Sequence, residues 1–324
     1  MQAPEIWFPH LGIQIAHLSR VAFQVFGFKI YWYGIIIVLG MLAGYYVTVR
    51  EARRTGQNAE LYSDFLLVVV LISVMGARLY YVIFSWDQYK DNLWEIFATR
   101  EGGLAIYGGI IAAVITAYVY CRVKKLDKWY FTDTAVLGLV LGQAIGRWGN
   151  FINHEAFGSY TDSLLALRYL ADTVPYIPRV VAQHMVTDMG AQYIQVHPTF
   201  LYESLWNLAL FAILTLYRPR KKFHGEVTLL YFLGYGLGRA WIEGMRTDQL
   251  ILFQTGLPAS QVLSILLVIA SVILLIYLRK RTAGTTPGAS IYLPGAGGAG
   301  AETAESTSNG GKPEQPAAIQ DEND

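Results

Sequence analysis

The chain has 324 residues, 54% of them hydrophobic and 15% charged, with a formal net charge of +1. That balance, together with a positive mean hydropathy, excludes an ordinary soluble domain and indicates a polytopic membrane protein. It gives no support to a nucleic-acid partner, since no basic tract is interleaved with stacking aromatics, and a single cysteine, Cys121, excludes both an intramolecular disulfide and a multi-thiolate metal site.

Residues 1–32 are expected to form an extracytoplasmic or interfacial segment. Their first basic residue is Arg20, Glu5 precedes it, and no compact apolar core with a small-residue cleavage site follows. No cleaved signal peptide is expected, and the mature chain is expected to start at Met1.

A bilayer core about 30 Å thick needs about 20 mostly apolar residues per helix. That ruler predicts seven spans, at 33–49, 64–84, 104–121, 132–145, 200–217, 227–241 and 259–278, the fourth and sixth being short with polar residues at their far ends. Basic residues cluster after every odd-numbered span: Arg50, Arg53 and Arg54; Arg122, Lys124, Lys125 and Lys128; Arg218, Arg220, Lys221 and Lys222; Arg279, Lys280 and Arg281. Short cytoplasmic loops accumulate Lys and Arg, so the N-terminus is expected outside and the C-terminus inside. Between the fourth and fifth spans, about residues 146–199 read as a small extracytoplasmic subdomain or lid. Residues 282–324 are rich in Gly, Ala, Thr, Ser, Pro and Glu and read as a disordered cytoplasmic tail. The predicted fold is an all-α integral membrane protein whose seven-helix domain covers 33–281. There is no repeat of fixed period, nor a matching pair of broken helices as in a secondary transporter.

Polar groups inside a span are expensive and are candidate site residues. Arg78 lies in the second span; Arg147, Asn150, Asn153, His154 and Glu155 follow the fourth; Tyr202, Glu203 and Asn207 lie in the fifth; Arg239, Glu243 and Arg246 end the sixth. Nearly all fall toward the predicted outer leaflet. Tyr235, Arg239, Glu243 and Arg246 are spaced to share one helix face, and Arg147 and Asn150 share another if the fourth helix continues past Ile145. Arginine presents a planar fork suited to phosphate, so a phospholipid headgroup is the expected anion. Arg78 alone reads equally well as a structural partner of a carboxylate or of helix-end carbonyls. Tyr31, Trp32, Tyr33, Tyr80, Tyr81 and Trp86 read as an interfacial aromatic belt. His10, His17 and His184 read as loop or interface residues, and no histidine pair has metal-ligand spacing.

The run GRWGNFINHEAFG strongly resembles the signature of the prolipoprotein diacylglyceryl transferases. IYWYG, EGGLAIYGG, HPTFLYES and GRAWIEGMRTD resemble further motifs of that family, in its order, over roughly residues 28–282. The resemblance implies a bacterial inner-membrane enzyme of seven helices, N-terminus outside. It would move the diacylglyceryl group of phosphatidylglycerol to the lipobox cysteine thiol in the signal peptide of a preprolipoprotein, with no metal and no cofactor. It also implies indispensable roles for Arg147 and Arg239, and functional roles for Tyr33, Asn150, Glu155, Gly158 and Glu243. Asn153 belongs to the same signature. The family's frequent His in the third-span motif is Tyr107 here. Tyr107, near Arg239, is expected to orient or activate the thiol, with Glu243, His197 and Glu155 as alternative groups for handling its proton. Tyr235 and Arg246 are expected to line the lipid site. An anion transporter would need a polar path on to the cytoplasm, and the inner halves of the odd-numbered spans, such as LFAILTLY and LLIYL, offer no matching set of buried charges. A lipid-binding scaffold would hold phosphatidylglycerol without consuming it.

Overall fold

The computed structural model describes residues 3–98, 102–252 and 256–283; the tail expected over 282–324 lies outside them from residue 284 onward. Its helices are α1 (Trp32–Arg54), α2 (Glu60–Phe84), α3 (Trp86–Tyr89), α4 (Ile106–Val123), α5 (Lys128–Asn153), α6 (Arg179–Ala182), α7 (Thr199–Tyr217), α8 (Glu226–Glu243) and α9 (Ala259–Arg281). Every predicted span coincides with one of the long helices. Five of them (α1, α2, α4, α7 with the turn after it, and α9) are long and apolar enough to cross a membrane. The other two long helices, α5 and α8, are diluted by Asp133, Gln143, Arg147 and Asn150 and by Glu226, Arg239 and Glu243. The outer surfaces fit a lipid solvent. Along α2, Leu67, Leu71, Met75 and Leu79 recur once per turn at 68, 67, 66 and 62% exposure, a stripe that water would not tolerate cheaply.

Small residues set the helix pairing. A Cβ on Gly44 of α1 would stand 2.5 Å from the Gly138 carbonyl oxygen of α5, so those backbones touch. Gly76 and Gly108 join α2 to α4 in the same way. The Asp127 carboxylate caps α5 by accepting from the Trp129 and Tyr130 amides, at 2.9 and 3.3 Å. That helix runs eight residues beyond Ile145, through Arg147 and Asn150, and ends on His154 in the left-handed region at φ 54°. The middle of the bundle is an apolar cluster of Val136, Leu137, Val140, Leu210, Leu214, Val227 and Tyr231 from α5, α7 and α8.

The all-α expectation is corrected by a β-sheet. Strands β1 (Ile6–Phe8), β2 (Ile13–Ile15), β5 (Leu167–Leu170), β6 (Val186–Asp188) and β7 (Ala191–Val196) form one antiparallel sheet in the order β2-β1-β5-β7-β6. Ile6 pairs with Tyr169 and Leu167 with Val196, so the N-terminal segment and the 146–199 insertion build one body. Its core of Ile6, Leu167, Tyr169, Ile194 and Val196 includes Phe157 from the loop after α5 and Phe200 from the first turn of α7, which seats the sheet on the site's end of the bundle. A separate hairpin, β3 (Val21–Val25) and β4 (Phe28–Tyr31), leads straight into α1.

One open reading is resolved and one expectation changes. Arg78 takes its structural reading: its guanidinium donates to the carbonyls of Glu95, Ile96, Gly102 and Gly103 at 2.6 to 2.9 Å and lies over the Tyr89 ring. It therefore folds the loop between α2 and α4. The end of the bundle opposite the sheet does hold buried carboxylates, Glu51, Asp133 and Glu226, at 4, 3 and 0% exposure. Each is paired there. Glu51 meets Arg54 and Arg218, Asp133 meets Lys221, and Glu226 meets Arg279.

Candidate active site

Arg147 on α5 and Arg239 on α8 point to the same place, and a third helix supplies what lies between them. Glu203 of α7, 4% exposed, receives Arg147 Nη2 at 2.6 Å on Oε2 and Arg239 Nη1 at 2.9 Å on Oε1. The α7 helix is fixed against α5 by the Ser204 hydroxyl, which donates to the Ala144 carbonyl at 2.9 Å and accepts from Trp148 Nε1 at 3.2 Å. Gly238 leaves room for the Trp206 indole, whose Nε1 donates to the Gly234 carbonyl at 2.8 Å and ties α7 to α8. Without those contacts the two guanidinium groups would not face one carboxylate.

The predicted stripe on α8 holds for its first two charges. Arg239 Nη2 reaches Glu243 Oε2 at 2.6 Å, one turn on, as an ion pair without hydrogen-bond alignment. The Ser260 hydroxyl at the start of α9 donates to the other oxygen of Glu243. The helix stops at Glu243, so Arg246 is carried by the following turn. It still reaches Glu203 Oε1 at 3.4 Å and grips Asp248 through Nε and Nη2 at 2.9 and 2.7 Å. Three guanidiniums thus face three carboxylates, Glu203, Glu243 and Asp248. Arginine has five N–H groups, so the forks keep donors beyond those that the carboxylates take. Tyr235 lines a narrow cleft with Glu203, Asn207 and Arg239.

A second group opens beside the first. Glu155 Oε1 accepts from Asn150 Nδ2 at 3.0 Å and Asn153 Nδ2 at 3.2 Å. Among the described residues no cation is paired with it. Glu155, Asn153 and Tyr33 line an open cavity of about 850 Å³ whose other walls include Arg20, Lys29, Ile35 and Leu39. Tyr33 packs on α5 at Gly149, where a Cβ would come within 2.7 Å of its ring. Arg147 and Asn150, one turn apart on α5, connect the two groups.

Loops from three motifs lock this end. Gly158 pairs with Arg246 in an isolated β-bridge, its amide donates to the His197 carbonyl at 3.0 Å, and the Ser159 amide donates to the Met245 carbonyl at 2.8 Å. A Cβ on Gly158 would stand 2.7 Å from the His197 Cβ, which is why glycine is needed. His197 Nδ1 lies 3.3 Å from the Tyr202 hydroxyl, and burial holds its pKa below the ordinary range.

Tyr107 makes no direct contact with Arg239 among the hydrogen bonds and ion pairs of the described residues. It makes no hydrogen bond among the described residues, and α4 packs chiefly on α2, whereas α8 packs on α9, α7 and α5. Glu203, conversely, is central here, although the sequence marked it only as a polar residue inside a span. Its signal was a carboxylate one turn before Asn207 in HPTFLYESLWN.

A family model for prolipoprotein diacylglyceryl transferase matches residues 20–277. Among curated relatives, the phosphatidylglycerol–prolipoprotein diacylglyceryl transferase of Oceanobacillus iheyensis is 42% identical over 266 residues, 82% of this chain and 90% of the relative. The enzyme of that name from Finegoldia magna is 44% identical over 265 residues, covering 82% of this chain and 97% of its own length. That of Clostridioides difficile is 39% identical over 264 residues, with coverage of 82 and 97%. On this evidence the chain belongs to the prolipoprotein diacylglyceryl transferase family.

Proposed function

We propose that the chain transfers the diacylglyceryl group of phosphatidylglycerol to the lipobox cysteine thiol in the signal peptide of preprolipoproteins, the first step of bacterial lipoprotein maturation. The sulfur–carbon bond forms at the glycerol carbon, the carbon–oxygen bond to phosphate breaks, and glycerol phosphate leaves with the electron pair. The observation that carries this reading is the convergence of Arg147 and Arg239 on one anion, Glu203, at 2.6 and 2.9 Å. Forks already aimed at one carboxylate are aimed at the charge that develops on a leaving phosphate, and their preorganisation costs nothing at the moment of reaction.

In this reading Glu203 holds the forks in register, Arg246 and Glu243 complete the charge balance, and Tyr235 closes the cleft beside them. Glu155, with no paired cation and open to the cavity, is the group best placed to take the thiol proton. Asn150 and Asn153 orient it and Tyr33 lines the same cavity. Gly158 and His197 keep the loops closed over this end. Seven spans, an N-terminus outside and a site facing the outer leaflet of the bacterial inner membrane are part of the proposal. Its support is that the C-terminal ends of α1, α4, α7 and α9 carry the basic clusters, while the sheet and the site lie at the other end.

The test is a mass-spectrometric assay with purified protein, phosphatidylglycerol and a lipobox peptide. A diacylglyceryl mass gain on the peptide cysteine is expected. Headgroup binding without that gain would replace the enzyme by a scaffold.

A further inference from the structure

The β3–β4 hairpin has a feature the transfer reaction does not use. Its register pairs Phe23 with Ile30 and Val25 with Phe28 on one face, and Gln24 with Lys29 on the other. The apolar face is open: Phe23 is 53% and Val25 42% exposed. At the tip, Phe26 is 96% exposed and takes φ 48°, followed by Gly27 at φ 84°, the two positive angles of a tight hairpin turn. A bulky residue rarely accepts that backbone region. Chain economy alone would place Asn or Gly there.

We infer that this hairpin is an interfacial wedge, seated with its apolar face and Phe26 in the outer-leaflet phospholipid surface. The inference rests on the reading of α1 as a membrane span with its N-terminus outside. The hairpin cannot stand away from that surface, because Tyr31 is the N-cap residue of α1 and the Trp32 amide donates to the Arg20 carbonyl at 3.0 Å. Both strand ends are therefore tied to the point where the span leaves the lipid. The aromatic content suits the interface, where amphipathic and aromatic groups seat about 5 to 10 Å into the headgroup boundary. Lys29 on the opposite face suits lipid phosphates. Since Lys29, Ile30 and Tyr31 also wall the 850 Å³ cavity, the wedge sets the mouth of that cavity at headgroup level.

The test uses the full chain with Cys121→Ala, reconstituted in vesicles of phosphatidylethanolamine and phosphatidylglycerol. An environment-sensitive fluorophore is attached to Phe26→Cys, to Leu42→Cys on the exposed face of α1, or to Thr187→Cys on the edge strand of the sheet. Position 26 is expected to show blue-shifted emission that is lost with a shallow lipid quencher, position 42 loss with a deep one, and position 187 neither. Aqueous behaviour at 26 with lipid behaviour at 42 overturns the wedge alone; aqueous behaviour at 42 overturns the span beneath it as well. A second reporter at Val25→Cys is read with and without Phe26→Asn, since Asn-Gly suits the turn better than Phe-Gly. A red shift with an unchanged thermal midpoint is expected, and unchanged emission also overturns the wedge.

Discussion

Replacing Glu203 by Gln keeps the size of the side chain and removes its charge. Three guanidiniums then face only Glu243 and Asp248, and the new amide turns donors toward an arginine donor on one side. Removing one partner of a buried ion pair costs about 3 to 5 kcal/mol. The Glu203 side chain is 5% exposed but the arginine side chains retain 11 to 21%, so water recovers part of this and about 2 to 3 kcal/mol is expected here. Where that whole cost falls on the transition state, at about 1.36 kcal/mol per decade, the loss is about 30- to 150-fold in rate. The loss is expected in kcat. The extra positive charge attracts the phosphate in ground and transition states alike, so KM for phosphatidylglycerol stays level or falls. Glu203→Asp, which keeps the charge but draws it back by one methylene, is expected to preserve the thermal midpoint while lowering turnover. The assay is peptide lipidation followed by mass spectrometry over a lipid titration, with thermal unfolding in detergent alongside. Wild-type kcat in Glu203→Gln, or a loss confined to KM, would refute the idea that this carboxylate holds the forks for the leaving phosphate.

Arg147→Lys and Arg239→Lys preserve charge but not the fork, so each is expected to lose at least about tenfold in turnover, as charge-assisted bidentate bonds become point contacts; wild-type rates from either would contradict the clamp. Gly158→Ala places a methyl 2.7 Å from the His197 Cβ and 3.0 Å from the Met245 carbonyl, so a destabilisation of about 1 to 3 kcal/mol is expected, read as a lower unfolding midpoint. His154 is 2% exposed, and burial first, then Arg20, hold its pKa below the ordinary 6.5. The unfolded chain therefore binds more protons, so the contribution of His154 to stability is complete above about pH 6.5 and is lost as pH falls through the folded-state pKa. His154→Asn, which tolerates the left-handed cap, is expected to flatten that acid limb between pH 7 and 5; an unchanged limb would place the sensitivity elsewhere.

Five of the helices were legible because their apolar runs are long enough to be ambiguous with nothing else, whereas the runs at 132–145 and 227–241 are short and rested on the alternation of basic clusters. The helix ends were less legible. The α5 helix continues through GRWGNFIN because polar residues there face protein partners, and hydropathy cannot distinguish a polar helix end from a loop. The sheet was hidden for a different reason. Its strands are three to six residues long, and β1 finds β5 only across the first five helices of the chain. The site was legible where periodicity reaches, as in the Arg239 and Glu243 pair. It was not legible where pairing crosses helices: no spacing rule joins Arg147, Glu203 and Arg239.

The charged groups of this protein occupy its two ends, and what separates them bears on the transporter alternative. At the far end the carboxylates are saturated. Asp133 accepts from Lys221, from the Gly225 and Thr228 amides and from the Thr228 hydroxyl, at 2.8 to 3.0 Å. Glu226 accepts from the Tyr217 hydroxyl and from Arg279, both at 2.8 Å. These groups fasten helix ends and have little capacity left for a passing ion. At the sheet end three guanidiniums face three carboxylates and keep N–H groups to spare, which is what an anionic substrate needs. Between the two ends α5, α7 and α8 contribute Val136, Leu137, Val140, Leu210, Leu214 and Tyr231 to the central apolar cluster. An anion leaving the arginines for the far end would shed its hydration into that largely apolar layer, where Tyr231 and Gln143 already satisfy each other, a cost of several kcal/mol. A site charge-balanced at rest, with an apolar cluster between it and the far end, is suited to chemistry on a lipid phosphate, not to moving one across.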